Sequence, residues 1–316
     1  MTNARGNKIA RIVQVVRIVE ETRDARSLVL AVSPADRAHF AYRPGQFLTL
    51  RIPSDRTGSV ARCYSLASAP HENGLLTITV KRTADGYASN WLCDSLVTGD
   101  TIEVLPPSGA FTPPSLDHDL VLLAGGSGIT PVFSILQAVL REGSGSVALF
   151  YANRDESSVI FARELRELAA EHASRLTVIH WLESVQGIPG HDALRTFVTP
   201  LIARDAYICG PEPFMKAATS ALTAAGMAKK RIHTEVYTSL SGNPFDDEPE
   251  ALLVVAADRP GVQAEVELDG DTHAVDWPVG VPLVDVLLAR GIDVPYMCRD
   301  GECGSCQATL ERGNVR

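Results

Sequence analysis

The spacing of apolar residues changes near residue 115, and this change narrows the folds that the chain can adopt. Before it, turn-forming sequences separate short apolar runs at residues 46–52, 60–67, 75–82 and 100–105. Runs of this length and spacing predict an antiparallel β-barrel over residues 8–114. A short helix is expected to interrupt the barrel at residues 89–96.

Beyond the change, strand and helix patterns alternate. Apolar strand patterns lie at residues 120–124, 147–151, 176–182, 206–209 and 232–237. Helical patterns follow the first four of them, at residues 131–141, 162–172, 192–202 and 213–225. This βαβ alternation predicts a doubly wound α/β domain with a parallel sheet over residues 115–238.

A third region begins after a turn-rich, acidic stretch. Residues 239–250 have the composition of an interdomain linker. In residues 251–316 we expect a strand pair at 251–257 and 263–268 and a short helix at 283–290, followed by a cluster of cysteines. The chain is therefore expected to contain several domains.

The charge balance argues against a nucleic-acid partner. The chain has 29 lysines and arginines against 38 aspartates and glutamates, a formal net charge of −9, whereas neutralising phosphates requires a basic surface. We find neither an apolar run of membrane-spanning length nor a signal peptide. We therefore expect a cytoplasmic protein that has no membrane partner and acts as a monomer.

Three cysteines near the C-terminus, Cys298, Cys303 and Cys306, have the spacing C-x4-C-x2-C. This is the spacing of plant-type 2Fe–2S ligands, and Gly301 and Gly304 let the backbone wrap closely around a cluster. Zinc is the alternative metal, but zinc sites use paired C-x2-C units and a nearby fourth ligand. The run resembles the ferredoxin domain of flavin–iron–sulfur reductases.

Residues Arg62-Cys63-Tyr64-Ser65 resemble the R-x-Y-S flavin motif of the ferredoxin–NADP reductase superfamily. An arginine fork can pair with a flavin phosphate, a tyrosine ring can lie against the flavin, and a serine hydroxyl can bond the N5 region. A buried strand with an arginine at its edge would give the same tetrapeptide. The P-G-Q-F turn at residues 44–47 favours the flavin interpretation, because the same superfamily has it there.

A second flavin-contacting segment is expected downstream. It consists of a strand end and a helix start that resembles the G-x-x-S of the same superfamily. Backbone N–H groups at a helix start suit a phosphate. Ser89 could instead be only the N-cap of this helix. The candidate residues are Thr79, Val80, Lys81, Gly86, Ala88 and Ser89.

The first strand of the α/β region runs into a glycine-rich turn and then a helix. The turn resembles the G-G-x-G-I-T-P of the superfamily. Small residues there let a cofactor pyrophosphate approach the backbone and the helix N-terminus, although a plain glycine turn would look similar. The candidate residues are Gly125, Gly126, Ser127, Gly128 and Thr130.

The second strand is followed by Asn153-Arg154-Asp155, the position at which doubly wound folds select the ribose. Asn153 and Arg154 are candidate nucleotide contacts. A carboxylate at Asp155 would repel a 2′-phosphate, whereas Arg154 could bind one. We expect NADH rather than NADPH to be the nucleotide.

A second nucleotide motif follows the fourth strand and resembles the superfamily's C-G-P-x-x-F/M, which lies near the nicotinamide. Its candidate residues are Cys209, Gly210, Pro211 and Phe214. A small buried cysteine without a chemical role is the alternative interpretation of Cys209. We do not expect this thiol to act as a nucleophile.

The last strand of the sheet ends at Glu235-Val236-Tyr237. The superfamily has an acidic residue and an aromatic residue here, close to the flavin ring, although core packing would also explain Tyr237. The resemblance thus places Ser65, Cys209 and Glu235 near the reacting atoms, and these three are the candidate catalytic residues.

The three signatures occur in the order flavin, nucleotide, iron–sulfur over essentially the whole chain. This order resembles reductases of Rieske-type oxygenase systems, and residues 58–65 and 81–94 most resemble the reductase components of actinobacterial 3-ketosteroid 9α-hydroxylases. The resemblance implies a β-grasp ferredoxin domain, NADH, a 2Fe–2S cluster and FAD, with FMN as the alternative. It also implies a fourth cluster cysteine after a further strand and helix, so we expect this domain to be C-terminally truncated.

The function implied by this resemblance is electron transfer from NADH through a flavin and a 2Fe–2S cluster to a Rieske-type oxygenase, in sterol or cholesterol degradation. Domains of the same appearance would suit the reductase of another aromatic-ring monooxygenase or of a cytochrome P450. A non-catalytic subunit that senses redox state through the same cofactors is an interpretation from a different class.

Overall fold

The computed structural model describes residues 9–70, 74–237, 240, 243–245, 260–268, 270–292, 294, 306 and 308–315. Within these residues no helix is long and apolar enough to cross a lipid bilayer.

Six strands near the N-terminus form an antiparallel barrel, as the apolar runs predict. The sheet order is β4-β3-β6-β1-β2-β5, and a bridge between Leu66 and Ile78 joins its two ends. The strands are β1 (Arg11–Thr22), β2 (Ala25–Ala31), β3 (Phe47–Ser54), β4 (Gly58–Ser65), β5 (Leu75–Lys81) and β6 (Thr101–Val104). Helix α1 (Tyr87–Asp94) buries Leu92 and Cys93 in the barrel core.

Five parallel strands form the second sheet, as the βαβ alternation predicts. They are β7 (Leu120–Gly125), β8 (Val147–Asn153), β9 (Leu176–Leu182), β10 (Asp205–Cys209) and β11 (Ile232–Glu235). Their order is β11-β10-β7-β8-β9. The chain therefore leaves β7 toward β8 and later returns to the other side of β7 as β10. Ligands of such sheets bind at the carboxyl ends of the strands where the order reverses.

Helices cover both faces of this sheet. They are α2 (Ile129–Glu142), α3 (Ala162–Glu171), α4 (Glu183–Gln186), α5 (His191–Val198) and α6 (Glu212–Ala224). Buried side chains of α2 and α3 belong to one apolar cluster, and those of α5 and α6 to another on the opposite face. The continuously apolar strands β7 and β8 fit this arrangement, because every residue in them is buried.

Helix α2 also binds the barrel. Gln137 donates a hydrogen bond to the carbonyl of Ala67 at 2.9 Å, and the Ser134 hydroxyl donates to the carbonyl of Ser68 at 2.6 Å. Ala25, Ala67 and Phe111 of the barrel region lie in the same apolar cluster as α2. These contacts fix the glycine-rich turn, which precedes α2, relative to the barrel.

The third region contains a hairpin and a helix. Strands β12 (Gly261–Leu268) and β13 (Asp271–Pro278) pair antiparallel, and helix α7 (Leu283–Ala289) packs on them. The expected partner of the 263–268 strand, residues 251–257, lies outside the described residues. The observed partner β13 was not expected, because only one of its eight residues is buried and it carries little apolar signal.

The segment expected to be a linker packs in part on the barrel. Leu240 and Phe245 are buried in a cluster with Phe47 and Leu105. The Asn243 side chain donates to the hydroxyl of Ser59 at 2.8 Å. The acidic composition of residues 239–250 gave no sign of this anchorage.

Candidate functional site

The candidate residues of the α/β domain converge at the carboxyl ends of β7 and β10, beside the barrel. Gly125 ends β7, and Gly126–Gly128 form a single 3-10 turn before α2. Gly126 has a φ of +53°, which a residue with a side chain rarely adopts. A Cβ on Gly126 would meet only the Lys81 amine, 3.7 Å away, so this glycine faces the cleft between the two domains.

The two glycine motifs pack against each other. A Cβ on Gly128 would lie 2.2 Å from the carbonyl oxygen of Cys209, and a Cβ on Gly210 would lie 2.9 Å from the nitrogen of Gly125. A Cβ on Gly125 would meet Pro211 and Phe214 at 3.0–3.1 Å. Gly125, Gly128 and Gly210 are therefore needed for loop packing, whereas Gly126 is the one that leaves room for a ligand.

The Tyr237 hydroxyl connects the candidates from both domains. It lies 2.9 Å from the hydroxyl of Thr130 and 3.3 Å from the carbonyl of Ser127, to which it donates. The Ser65 hydroxyl, from the barrel, donates to it at 3.4 Å. Half of the Tyr237 side chain is exposed (50%), so the ring borders the cleft while its hydroxyl points inward.

Burial controls the ionisation of Cys209 and Glu235, which pair in register between β10 and β11. It raises the pKa of the Cys209 thiol to about 12, so the thiol is protonated at neutral pH. A protonated thiol is a weak nucleophile. Burial also raises the pKa of Glu235 to about 7, which makes this carboxyl a group that can hold or release a proton near neutral pH.

The R-x-Y-S motif lies on β4, in register with β3. Arg62 and Tyr64 alternate with Cys63 and Ser65 along the strand, so the two pairs face opposite sides of it. Tyr64 packs against the barrel core, and Cys63 packs against the cluster formed with the anchored segment. One N–H of the Arg62 fork donates to the carbonyl of Ala61 at 2.7 Å.

The residues at the end of β5 and the start of α1 divide into two groups. Val80 is buried in the barrel core. Thr79 is buried on the opposite face of β5, which is also the face of Lys81, and its hydroxyl bonds that of Ser27 at 2.7 Å. Gly86 is the N-cap of α1 and offers no side-chain acceptor, which leaves the first backbone N–H groups, including that of the buried Ala88, for another partner.

The alternative interpretation of Ser89 as the N-cap is wrong. Ser89 is the third residue of α1, and its hydroxyl accepts from the Thr83 nitrogen at 3.1 Å and donates to the Gly86 carbonyl at 3.3 Å. It closes the turn that leads into the helix.

Asn153 carries buried polar atoms that lack partners. It is the last residue of β8 and is 7% exposed, and neither its side-chain nitrogen nor its oxygen has a hydrogen-bond partner among the described residues. Leaving such a group unpaired costs about 1–3 kcal/mol. Tyr151, two residues earlier on β8, donates its hydroxyl to the Gly126 carbonyl at 3.2 Å, so Asn153 lies on the strand face that borders the glycine turn.

The expected metal ligands can be followed only in part. Cys298 and Cys303 lie outside the described residues. Cys306 is half-buried and packs against the apolar cluster of β13 and α7. Within the part of the chain that the structure describes, no three histidines, cysteines or carboxylates come together as a metal site.

Comparison with protein families assigns all three regions. Models of the oxidoreductase FAD-binding domain, the oxidoreductase NAD-binding domain and the 2Fe-2S iron-sulfur cluster binding domain match residues 12–112, 122–220 and 266–316. The chain is 57% identical over 304 residues to the ferredoxin reductase component of 3-ketosteroid-9-alpha-monooxygenase from Rhodococcus rhodochrous, covering 96% of this chain and 87% of that protein. The component from Mycobacterium tuberculosis is 53% identical over 310 residues, covering 96% and 85%.

The chain belongs to this family of monooxygenase reductase components. It is therefore an oxidoreductase with FAD-binding, NAD-binding and 2Fe–2S domains, as the motifs predict. Among solved structures, phthalate dioxygenase reductase has the same modular architecture, with 25% identity and a TM-score of 0.64, covering 94% of this chain and 85% of that one.

The cleft of this reductase component fits the nucleotide and the flavin. The open Gly126 turn and the unpartnered Asn153 suit a dinucleotide, and the Arg62 fork and uncapped start of α1 suit a flavin phosphate.

Sequence reasoning missed Asp24, in the β1–β2 turn, whose carboxylate reaches Arg154 at 2.7 Å. No motif marks Asp24, and only the docking of the two domains brings it to the cleft.

Proposed function

We propose that this chain oxidises NADH and delivers single electrons to the oxygenase component of a 3-ketosteroid 9α-monooxygenase of the Rieske type. The observation that carries the proposal is the group around the Tyr237 hydroxyl. It brings Ser65, from the flavin motif, within hydrogen-bond distance of a hydroxyl that also contacts Thr130, from the nucleotide turn. A flavin held by one motif and a nicotinamide held by the other would meet here.

The barrel residues would hold FAD. Arg62 and the first N–H groups of α1 offer a charged fork and helix-end donors for its phosphates, and Tyr64 and Ser65 lie on the same strand. When bound, FAD accepts two electrons together from NADH and releases them singly, which a 2Fe–2S cluster requires. Cys298, Cys303 and Cys306 would provide thiolates to that cluster.

The α/β domain would position the nucleotide. Gly126 and Lys81 provide space and charge for the pyrophosphate, and Asn153 provides a donor and an acceptor. Cys209, small, protonated and fully buried, would support the loop that holds the nicotinamide. Glu235 would buffer a proton close to this loop, because its pKa lies near neutrality.

The test proceeds in two stages. Anaerobic mixing of the flavin-loaded chain with NADH should bleach the flavin. Adding the oxygenase component, oxygen and a 3-ketosteroid should then give 9α-hydroxylated product, dependent on both proteins and on NADH. Flavin reduction without product, in protein whose 2Fe–2S cluster is verified by iron and sulfide analysis, would refute the assigned partner and retain the NADH oxidoreductase. The absence of NADH oxidation with any acceptor would instead favour the redox-sensing subunit.

A cytochrome P450 is the second candidate acceptor. The observation that favours it is a likeness to the cytochrome P450 reductase of Amycolatopsis, with 28% identity, a TM-score of 0.60 and coverage of 72% of this chain and 69% of that one. Reduction of the purified P450 and oxygenase partners, compared at equal concentration, separates the two. We expect faster electron delivery to the oxygenase.

We further propose that residues 8–114, 115–238 and 251–316 are separate folding units joined by a linker at 239–250, and that the protein is a cytoplasmic monomer. The barrel interior forms an apolar cluster of its own, which supports the first boundary, while Ala25, Ala67 and Phe111 pack across that boundary against the cluster of α2. Limited proteolysis with mass analysis tests the boundaries, and light scattering in solution tests the oligomeric state.

A further inference from the structure

Three charged side chains meet at the mouth of the nucleotide turn. Asp24 projects from the β1–β2 turn of the barrel, and its Oδ2 lies 2.7 Å from Nη2 of Arg154 and 3.9 Å from Nζ of Lys81. Arg154 follows directly after β8, and the Lys81 amine borders Gly126. A carboxylate of one domain thus stands between two cations at the edge of the cleft.

Arg154 occupies the position at which an arginine can accept a 2′-phosphate. In doubly wound folds, this position at the end of the second strand distinguishes the ribose of NAD from that of NADP. The neighbouring Asp155 would be the obvious carboxylate to exclude NADPH. Its Oδ1, however, accepts hydrogen bonds from Ser157 and Ser158 at 2.7–3.0 Å and caps its own turn.

We propose that Asp24, reaching across from the barrel, is the residue that gives this reductase its preference for NADH over NADPH. This inference rests on the proposed function, because it concerns the nucleotide of that reaction. Asp24 neutralises Arg154 and places a negative charge where a 2′-phosphate would have to lie. Discrimination therefore depends on the flavin domain and not only on the nucleotide domain.

Asp24 is held as an anion at neutral pH. Burial opposes ionisation, but the Thr22 hydroxyl, 2.8 Å from Oδ1, together with Lys81 and Arg154, holds its pKa below the usual range. The Asp24 side chain is 29% exposed and that of Arg154 is 59% exposed, so water screens much of their attraction. The bond from Thr22 also fixes the direction in which the carboxylate points.

The test compares Asp24→Asn with the wild type in nucleotide binding. Asparagine keeps an acceptor for Thr22 and removes the charge, so the turn is retained. Calorimetric titration of the flavin-loaded full chain with NAD⁺ and with NADP⁺ gives the two dissociation constants. We expect NADP⁺ to bind about five- to tenfold more tightly to the variant, with a change of less than about twofold for NAD⁺.

The matched control is Glu20→Gln. Glu20 lies on the same hairpin and pairs with Arg26 at 2.7 Å, away from Arg154 and Lys81. It should leave the NAD⁺ to NADP⁺ ratio unchanged. In the background Arg154→Gln, Asp24→Asn should improve NADP⁺ binding by a smaller factor than in the wild type, because only the relief of direct repulsion remains.

If the ratio of the NADP⁺ and NAD⁺ dissociation constants is the same in Asp24→Asn as in the wild type, the proposal is overturned. An equal loss of affinity for both nucleotides would also overturn it, because it would show that Asp24 only holds the two domains together. Failure of the wild type to bind NAD⁺ at all would instead refute the proposed function, so the two failures are distinguishable.

Discussion

Removing the carboxylate of Glu235 should make the protein more stable at alkaline pH. Glu235 ends the edge strand β11, and burial raises its pKa from the ordinary value of 4.5 to about 7. A raised carboxyl pKa means that the folded state favours the neutral acid. Its stabilising contribution is complete below pH 4.5 and is lost as the pH rises to about 7. Glu235→Gln keeps the shape of the neutral acid and cannot ionise.

The magnitude follows from the two pKa values. Each pKa unit corresponds to about 1.4 kcal/mol, so the full displacement is worth about 3 kcal/mol at most. Glu235 is only partly buried, and solvent screening reduces the expected effect to about 2 kcal/mol. We subtract the unfolding free energy of the wild type from that of Glu235→Gln. This difference should increase by about 2 kcal/mol between about pH 5 and pH 8.

Urea unfolding at a series of pH values measures this difference. Glu167→Gln, at an exposed position of α3, is the control for the general effect of removing one negative charge. A stability difference between Glu235→Gln and the wild type that is the same at every pH would refute the reasoning. A variant that loses stability at pH 8 would show that ionised Glu235 gains a favourable partner.

Three further substitutions test the cleft. Arg62→Ala should weaken flavin binding about 10- to 100-fold, because it removes a charge-assisted phosphate contact; flavin retained after gel filtration measures this, and full retention would contradict it. Gly128→Ala should lower the melting temperature by several degrees, because the new Cβ would lie 2.2 Å from the Cys209 carbonyl, whereas Gly190→Ala meets nothing within 4 Å and should not. Tyr237→Phe should cost about 1 kcal/mol in unfolding free energy through the lost hydroxyl contacts; an unchanged urea midpoint would show that those contacts are not stabilising.

The sequence predicts elements best where the local pattern and the tertiary role agree. Strand β7, the glycine turn and α2 follow from an apolar run, small residues and a helical period. Strand β1 is harder to find, because a bulge between Val15 and Arg17 breaks its alternation. Strand β13 escapes prediction because it is largely exposed.

The residues of the site also divide into those that short motifs reveal and those that only the tertiary structure reveals. Motif residues such as Ser65, Thr130 and Cys209 are found from short patterns, and the structure brings them together around Tyr237. Val80 stands next to Lys81 in the same motif but lies inside the barrel, because neighbouring residues of a strand face opposite sides. Asp24 could not be identified from sequence, since its role depends on a contact 130 residues away.

The burial of Phe245 on the barrel shortens the linker to the iron–sulfur domain. Because Phe245 is 2% exposed and packed against Phe47, the reach of that domain is measured from residue 245 and not from the end of the sheet at Glu235. Fifteen residues then lie between Phe245 and Gly261, a span of at most roughly 55 Å. A shorter linker raises the effective concentration of the 2Fe–2S cluster at the flavin. The contact of Phe245 with the barrel would thus influence how often the two centres meet.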